Sequence, residues 1–323
     1  MRRREFISLF GGAVAAWPLA AHAQPRAIPL FGMLLVVPRD SGKAFTEPIR
    51  AFMQALGFVE GRNIAFDFRF ADGQVERLPS LAAELVARRP AIIATFGDAT
   101  ARAAQAATTS IPIVAMSEDL VRAKLVLNLA RPEGNTTGVS IMGTELDAKR
   151  LEILAEMLPA RSTVLLLADS TTHRESRPAL NAVAQALGLT LHEAIVSTPA
   201  EIERALRGAR ERGMAGVNVL SSAFLFTQRG RIISLAAELG LPTIYQWPET
   251  AEEGGLIAYG PSLHGAFRQV TALAVKVLQG RKPGDLPIEQ PTRFALYLNL
   301  KTARALNLLV PPLTLLRADK TIE

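Results

Sequence analysis

The chain alternates short, almost wholly apolar runs with amphipathic stretches. Residues 28–37 (IPLFGMLLVV) form one such run, ended by Pro38, which is the pattern of a strand covered on both faces. Residues 45–56 carry apolar side chains at helical spacing and stop at Gly57, and 63–70 (NIAFDFRF) alternate with a period of two. The series continues with a helix over 78–88, a strand over 91–95, a helix over 99–107 and a strand over 111–115. Strands separated by helices call for right-handed crossovers and a mostly parallel, doubly wound sheet.

A Gly-, Pro- and Asn-rich break at 131–138 precedes a second copy of the same grammar. Strands are expected over 163–168, 189–196, 216–220 and 241–245, with helices over 178–187, 201–212 and 231–239, the last ended by Gly240. Two α/β units of similar size with no long linker predict two lobes sharing one hinge. The helical pattern over 262–280 leads back to the first unit, so the chain is expected to cross the hinge several times. The expected division is 24–140 with 262–295 in lobe 1, and 141–261 with 296–323 in lobe 2.

Residues 1–23 stand outside this grammar. Arg2, Arg3 and Arg4 form a positive cluster, an apolar stretch follows from Phe6 to Ala20, and Ala21-His22-Ala23 closes it. That order describes a cleavable export signal, too short in its apolar part to span a bilayer, with the cut expected between Ala23 and Gln24. Arg3-Arg4-Glu5-Phe6-Ile7 fits a twin-arginine export pattern, with ordinary secretion as the alternative. The expected location is the periplasm.

The formal charge of +6 loses three arginines and gains back one glutamate when residues 1–23 are removed, leaving +4. With positive residues scattered singly, this weak excess argues against a nucleic-acid partner. No cysteine occurs, so there is no lipid-attachment site, disulfide or thiolate metal ligand. His173, His192 and His264 lie far apart with no metal-ligand spacing, so no metal is expected. Phosphate-binding glycine loops, H-E-x-x-H and G-x-S-x-G are missing, and Gly138-Val139-Ser140-Ile141-Met142-Gly143 has the wrong spacing for a nucleophile elbow. Neither catalytic residues nor a cofactor are expected.

Polar residues recur at the ends of the expected parallel strands, where doubly wound sheets bind their ligands. The first unit supplies Asp40 and Ser41, then Gly97, Asp98 and Thr100, then Ser117 and Asp119. The second supplies Asp169, Ser170 and Thr171, then Ser222 and Phe224, then Tyr245 and Trp247. Asp98 and Thr100 open a helix, so they serve as caps, as contacts to a ligand carboxylate at the helix N-terminus, or as both; Thr100 suits an anion better than Asp98. Asp119 and Asp169 suit a ligand ammonium or hydroxyl, or cap an ordinary turn. Phe224 and Trp247 offer rings for stacking on a ligand, or for packing.

Several longer stretches carry a family resemblance. These are Arg2-Arg3-Arg4-Glu5-Phe6-Ile7, Leu56-Gly57-Phe58-Val59-Glu60-Gly61-Arg62-Asn63 and Leu129-Ala130-Arg131-Pro132-Glu133-Gly134-Asn135-Thr136-Thr137-Gly138-Val139-Ser140. Gly254-Gly255-Leu256-Ile257-Ala258-Tyr259-Gly260-Pro261-Ser262 and Glu289-Gln290-Pro291-Thr292-Arg293-Phe294 continue it. With them the chain resembles substrate-binding components of ABC transporters, in the group related to tryptophan- and tyrosine-type binders. The resemblance implies a type I periplasmic-binding-protein fold with a small molecule closed between two lobes, an ABC permease and its ATPase as partners, and a monomer without enzymatic activity. It also implies that Asn135-Thr136-Thr137-Gly138 is a turn entering the hinge and Gly254-Gly255 a turn before the second crossing. Asp98 and Asp169-Ser170 depart from the residues common in that group. An exported ligand-sensing subunit is the alternative role, and an exported α/β enzyme a further one.

Overall fold

The computed structural model describes residues 28–169 and 177–323, the side chains of 144 and 145 excepted. The expected leader at 1–23, and Ser170 and Thr171, lie outside the described residues.

The first series runs β1 (Leu30–Leu35), α1 (Lys43–Ala55), β2 (Ala65–Phe70), α2 (Leu78–Ala87), β3 (Ile92–Phe96), α3 (Asp98–Ala107), β4 (Ile113–Ser117) and β5 (Thr136–Ser140). The second runs α4 (Gly143–Ala155), β6 (Thr163–Asp169), α5 (Arg177–Ala186), β7 (Thr190–Val196), α6 (Pro199–Glu211), β8 (Gly216–Val219), α7 (Ala223–Thr227), α8 (Arg229–Leu239), β9 (Thr243–Tyr245), α9 (Glu249–Glu252) and β10 (Ile257–Gly260). After these come α10 (Leu263–Leu278), β11 (Ala295–Asn299), α11 (Leu300–Ala305), α12 (Pro312–Arg317) and β12 (Lys320–Ile322).

The strands form two sheets, one ordered β2-β1-β3-β4-β5 and the other β12-β11-β10-β9-β8-β6-β7. Every pair is parallel except β10 with β11. Position in the sheet explains the sequence patterns. β1 and β3 are central and buried nearly throughout, so they read as continuous apolar runs, whereas β2 and β7 are edge strands that keep polar residues among apolar ones.

Each sheet is covered on both faces. Phe31, Met33 and Leu35 of β1 pack with Phe45 of α1 and Phe267 and Val270 of α10, while Leu34 points the other way into the α2 and α3 side with Leu78, Leu85 and Ala101. In β6, Leu165 and Leu167 meet Ile202 and Leu206 of α6 and Ile232 of α8, and Val164 and Leu166 meet Leu151 and Leu154 of α4 and Leu180 of α5. Burying each such side chain contributes about 1.5–3 kcal/mol before entropy is counted. α6 is started by a capping box between Thr198 and Glu201, and α10 by Ser262, whose hydroxyl accepts from Gly265 N at 3.2 Å.

The chain passes between the sheets three times: after β5, after β10, and between Glu289, which bridges Val139, and Ala295. One expectation is corrected here. Asn135-Thr136-Thr137-Gly138 is not a turn, because Thr136–Ser140 is strand β5, fully buried at the edge of the first sheet. The glycine is required by closeness and not by a positive φ, since a Cβ on Gly138 would stand 1.8 Å from the Ala115 carbonyl oxygen. The polar look of the segment is met by bonds such as Thr137 Oγ1 to the Leu286 carbonyl at 2.9 Å. Gly254, by contrast, does turn the chain before β10, with φ +113°.

Candidate functional site

The C-terminal ends of β3 and β4 face those of β8 and β9 across a cleft. On the first-lobe side it is lined by Phe45, Phe96, Gly97, Met116, Ser117, Glu118 and Leu263. Ser221, Ser222, Ala223, Phe226 and Trp247 form the other side, and Ile141, on the first crossing, also lines it. An adjoining chamber shares Phe96, Gly97, Glu118 and Ser221 to Ala223 and adds Val36, Asp98, Ala99 and Thr100. Gly97 makes the entry to α3 possible: its φ of +93° and ψ of +157° are essentially restricted to glycine.

Aromatic rings dominate the walls. Phe45 and Phe96 lie 5.4 Å apart by ring centroid, Phe96 and Phe267 5.6 Å, and Phe45 meets Phe226 of the opposite wall edge-on at 5.6 Å. Phe226 and Trp247 come from second-lobe segments, yet they pack into the apolar cluster of the first lobe. Such ring pairs contribute about 0.5–1.5 kcal/mol beyond their buried area.

One acid joins the walls. Glu118 follows β4, and its Oε1 accepts a hydrogen bond from the Ser221 hydroxyl of the second lobe. Its Oε2 is buried without a hydrogen-bond partner. Burial pushes the Glu118 carboxyl up to about 8; the Ser221 hydroxyl opposes this, Asp147 and Asp98 add to it, and Arg150 partly offsets them. Arg150 is fully buried, pairs with Asp147, and donates to the carbonyls of Gly143 at 2.9 Å and Tyr259 at 3.3 Å, tying α4 to β10. The Gln246 amide is buried with neither polar atom bonded.

The sequence candidates separate into groups. Gly97, Asp98, Thr100, Ser117, Ser222 and Trp247 all line the cleft. Ser117 donates to Asp98, and Ser222 donates to Asp169 at 2.5 Å while capping α7 through Leu225 N. The Thr100 hydroxyl is used inside its own helix start, reaching the carbonyls of Phe96 and Gly97 at 3.0 and 2.8 Å. Asp119 accepts from the backbone N–H groups of Val121 and Arg122 at 2.9 and 3.0 Å, so its carboxylate caps a turn. Asp40 is exposed and Ser41 half-buried in the turn before α1, and neither lines either chamber. Phe224 packs in the second-lobe core. Tyr245 does so too, its phenol raised well above the usual range by burial, though its edge borders the recess behind Trp247.

Glu118, Ser221, Phe226 and the pair Phe45 and Phe96 were not among the sequence candidates. Glu118 lies between the candidates Ser117 and Asp119, and Ser221 directly before Ser222, so the strand-end topology admits both. Phe226 was hidden because 223–227 reads as loop, whereas it forms a helix. Phe96 adjoins the candidate Gly97 at its strand end, and Phe45 opens the helical pattern over 45–56, with nothing local to mark its ring as cleft-lining.

Among the described residues no group of three or more His, Asp or Glu is placed to hold a metal ion, and no helix is long and apolar enough to cross a membrane. Residues 32–322 match the family model described as ABC transporter substrate binding protein. A tyrosine-binding protein of Clostridioides difficile is 26% identical over 266 residues, covering 80% of this chain and 76% of that protein. Among solved structures, a conserved domain protein from Vibrio cholerae superposes with a TM-score of 0.80 at 24% identity, covering 91% of this chain and 99% of the other. An ABC domain from Streptococcus pneumonia in complex with L-Trp superposes with a TM-score of 0.75 at 22% identity, again covering 91% and 99%.

Proposed function

The chain belongs to the ABC transporter substrate-binding protein family, and from that premise we propose that it captures a small polar or aromatic molecule in the cleft between its lobes. The family makes it a binding protein and not an enzyme, with a small-molecule ligand and ABC transporter components as partners. In this reading the solute is held in the periplasm, after export and removal of residues 1–23, and handed by a monomer to a membrane permease with its ATPase. Ligand contact with both walls selects the closed arrangement through a hinge motion.

The observation that carries the reading is the meeting of Phe45 and Phe96 from one lobe with Phe226 and Trp247 from the other around a cleft that also offers Ser117, Glu118, Ser221 and Ser222. An apolar enclosure with a few convergent polar groups is the usual form of a small-molecule site. The names of the tyrosine-binding relative and of the L-Trp complex make aromatic amino acids and their derivatives the first compounds to try. Mass spectrometry of material purified from the host periplasm tests the reading. It should find one small molecule released intact on unfolding, on a chain that starts at Gln24; a chemically altered product, or a chain starting at Met1, would contradict it.

A further inference from the structure

Glu118 lines the first-lobe side of the cleft, but its carboxyl reaches into the second lobe. Beyond the bond from Ser221, its Oε2 lies against the backbone of Gly143 at the start of α4. A Cβ on Gly143 would stand 1.4 Å from that oxygen and 3.1 Å from the Gln246 amide nitrogen, so the recess exists only because position 143 has no side chain. Glu118 Oε2 and both polar atoms of the Gln246 amide are buried beside this point without hydrogen-bond partners.

The charged groups facing Glu118 are Asp98 from the start of α3, and Asp147 and Arg150 from α4. Arg150 is already engaged with Asp147 and two backbone carbonyls. An ionised carboxylate enclosed here, with one hydroxyl as its donor and two other carboxylates near, is costly. A neutral acid is not: its Oε1 still accepts from Ser221, and its Oε2 carries the proton beside the Gln246 amide, which has no other partner of its own.

We propose that Glu118 is the positioning residue that holds the lobes together, and that it does so as the neutral acid, so that closing the cleft takes up a proton. The inference rests on the cleft being a closing solute site, but its test adds no solute. A carboxyl that is ordinary in the open form and raised to about 8 in the closed form binds more protons when closed. The closed form is therefore favoured fully below the ordinary carboxylate range, loses that advantage as pH rises, and has lost it above about 8.

Small-angle X-ray scattering of the purified protein, unfolded and refolded to remove bound solute, reads lobe separation at about pH 5 and about pH 9. The wild type should have a smaller radius of gyration at the lower pH. Glu118→Gln, which keeps the shape of the neutral acid and supplies its donor, should stay compact at both. Gly143→Ala, which displaces Oε2, should be extended at both; if it fails to fold by circular dichroism, the wild type and the Gln variant decide. A wild-type radius that does not change with pH, a Gln variant that expands as the wild type does, or a folded Gly143→Ala protein that is compact at the lower pH would each overturn the proposal. A glutamate with only a packing role would leave the pH response in place when changed to Gln.

Discussion

The two walls of the cleft are built on opposite plans. In the first, Phe45, Phe96 and Phe267 touch one another at 5.4, 5.6 and 6.1 Å, and α1, β3 and α10 hold all three within one lobe. In the second, the rings sit on the five-residue helix α7 and on the loop after β9, and they find their apolar company in the first lobe. The rings of the first wall thus find most of their company within their own lobe, with only Phe45 also touching Phe226, while Phe226 and Trp247 find theirs across the cleft. Apolar burial is worth about 25 cal/mol per Å², so in the proposed hinge motion the second wall's rings would supply more of the closing free energy than the first wall's. A solute that widens the contact between walls adds to that term.

The largest expected effect tests the first wall. Phe96→Ala should lower unfolding stability by about 3–5 kcal/mol in urea titration, since the ring sits inside one lobe's core. Phe226→Ala should do the reverse: a much smaller loss of stability, with solute affinity falling by on the order of 2 kcal/mol, roughly thirtyfold, by calorimetry. Equal stability losses for the two would erase the distinction between walls.

Two aspartates sharpen it at smaller scale. Asp169 holds the hydroxyl of Ser222, a cleft-lining residue, so Asp169→Ala should weaken solute binding about tenfold. Asp119 caps a turn through Val121 and Arg122, so Asp119→Ala should cost about 1 kcal/mol of stability and leave binding unchanged. Weakened binding in the Asp119 variant would move that residue into the cleft.

The contrast between walls also explains what the sequence discloses. Central strands such as β1, β3 and β6 are legible because burial on both faces leaves only apolar residues, and doubly wound topology then brings the segments after β3, β4, β8 and β9 to one cleft. β5 is misleading because its threonines and serine are satisfied inside the sheet: Ser140 Oγ accepts from Leu120 N at 3.0 Å, a long-range partner that no local pattern announces. The direction of each side chain is the other blind spot. Phe224 and Phe226 are two residues apart, but on a helix that is about 200° of rotation, enough to send one ring into the second-lobe core and the other across the cleft. Glu118 and Asp119 are neighbours with opposite fates, one spanning the lobes and the other capping its own turn, and only the tertiary structure distinguishes them.

The central claim is that solute is held between the two walls, and the chain carries its own reporter. Of two tryptophans, Trp17 falls within the expected leader, which leaves Trp247 on the second wall, 7% exposed and packed against first-lobe side chains. Titrating the processed protein with the solute that co-purifies should change Trp247 emission saturably, and Trp247→Phe should abolish that signal while calorimetric binding largely persists. Calorimetric binding of the same solute to the wild type with unchanged tryptophan emission would contradict the account and place the solute away from this cleft.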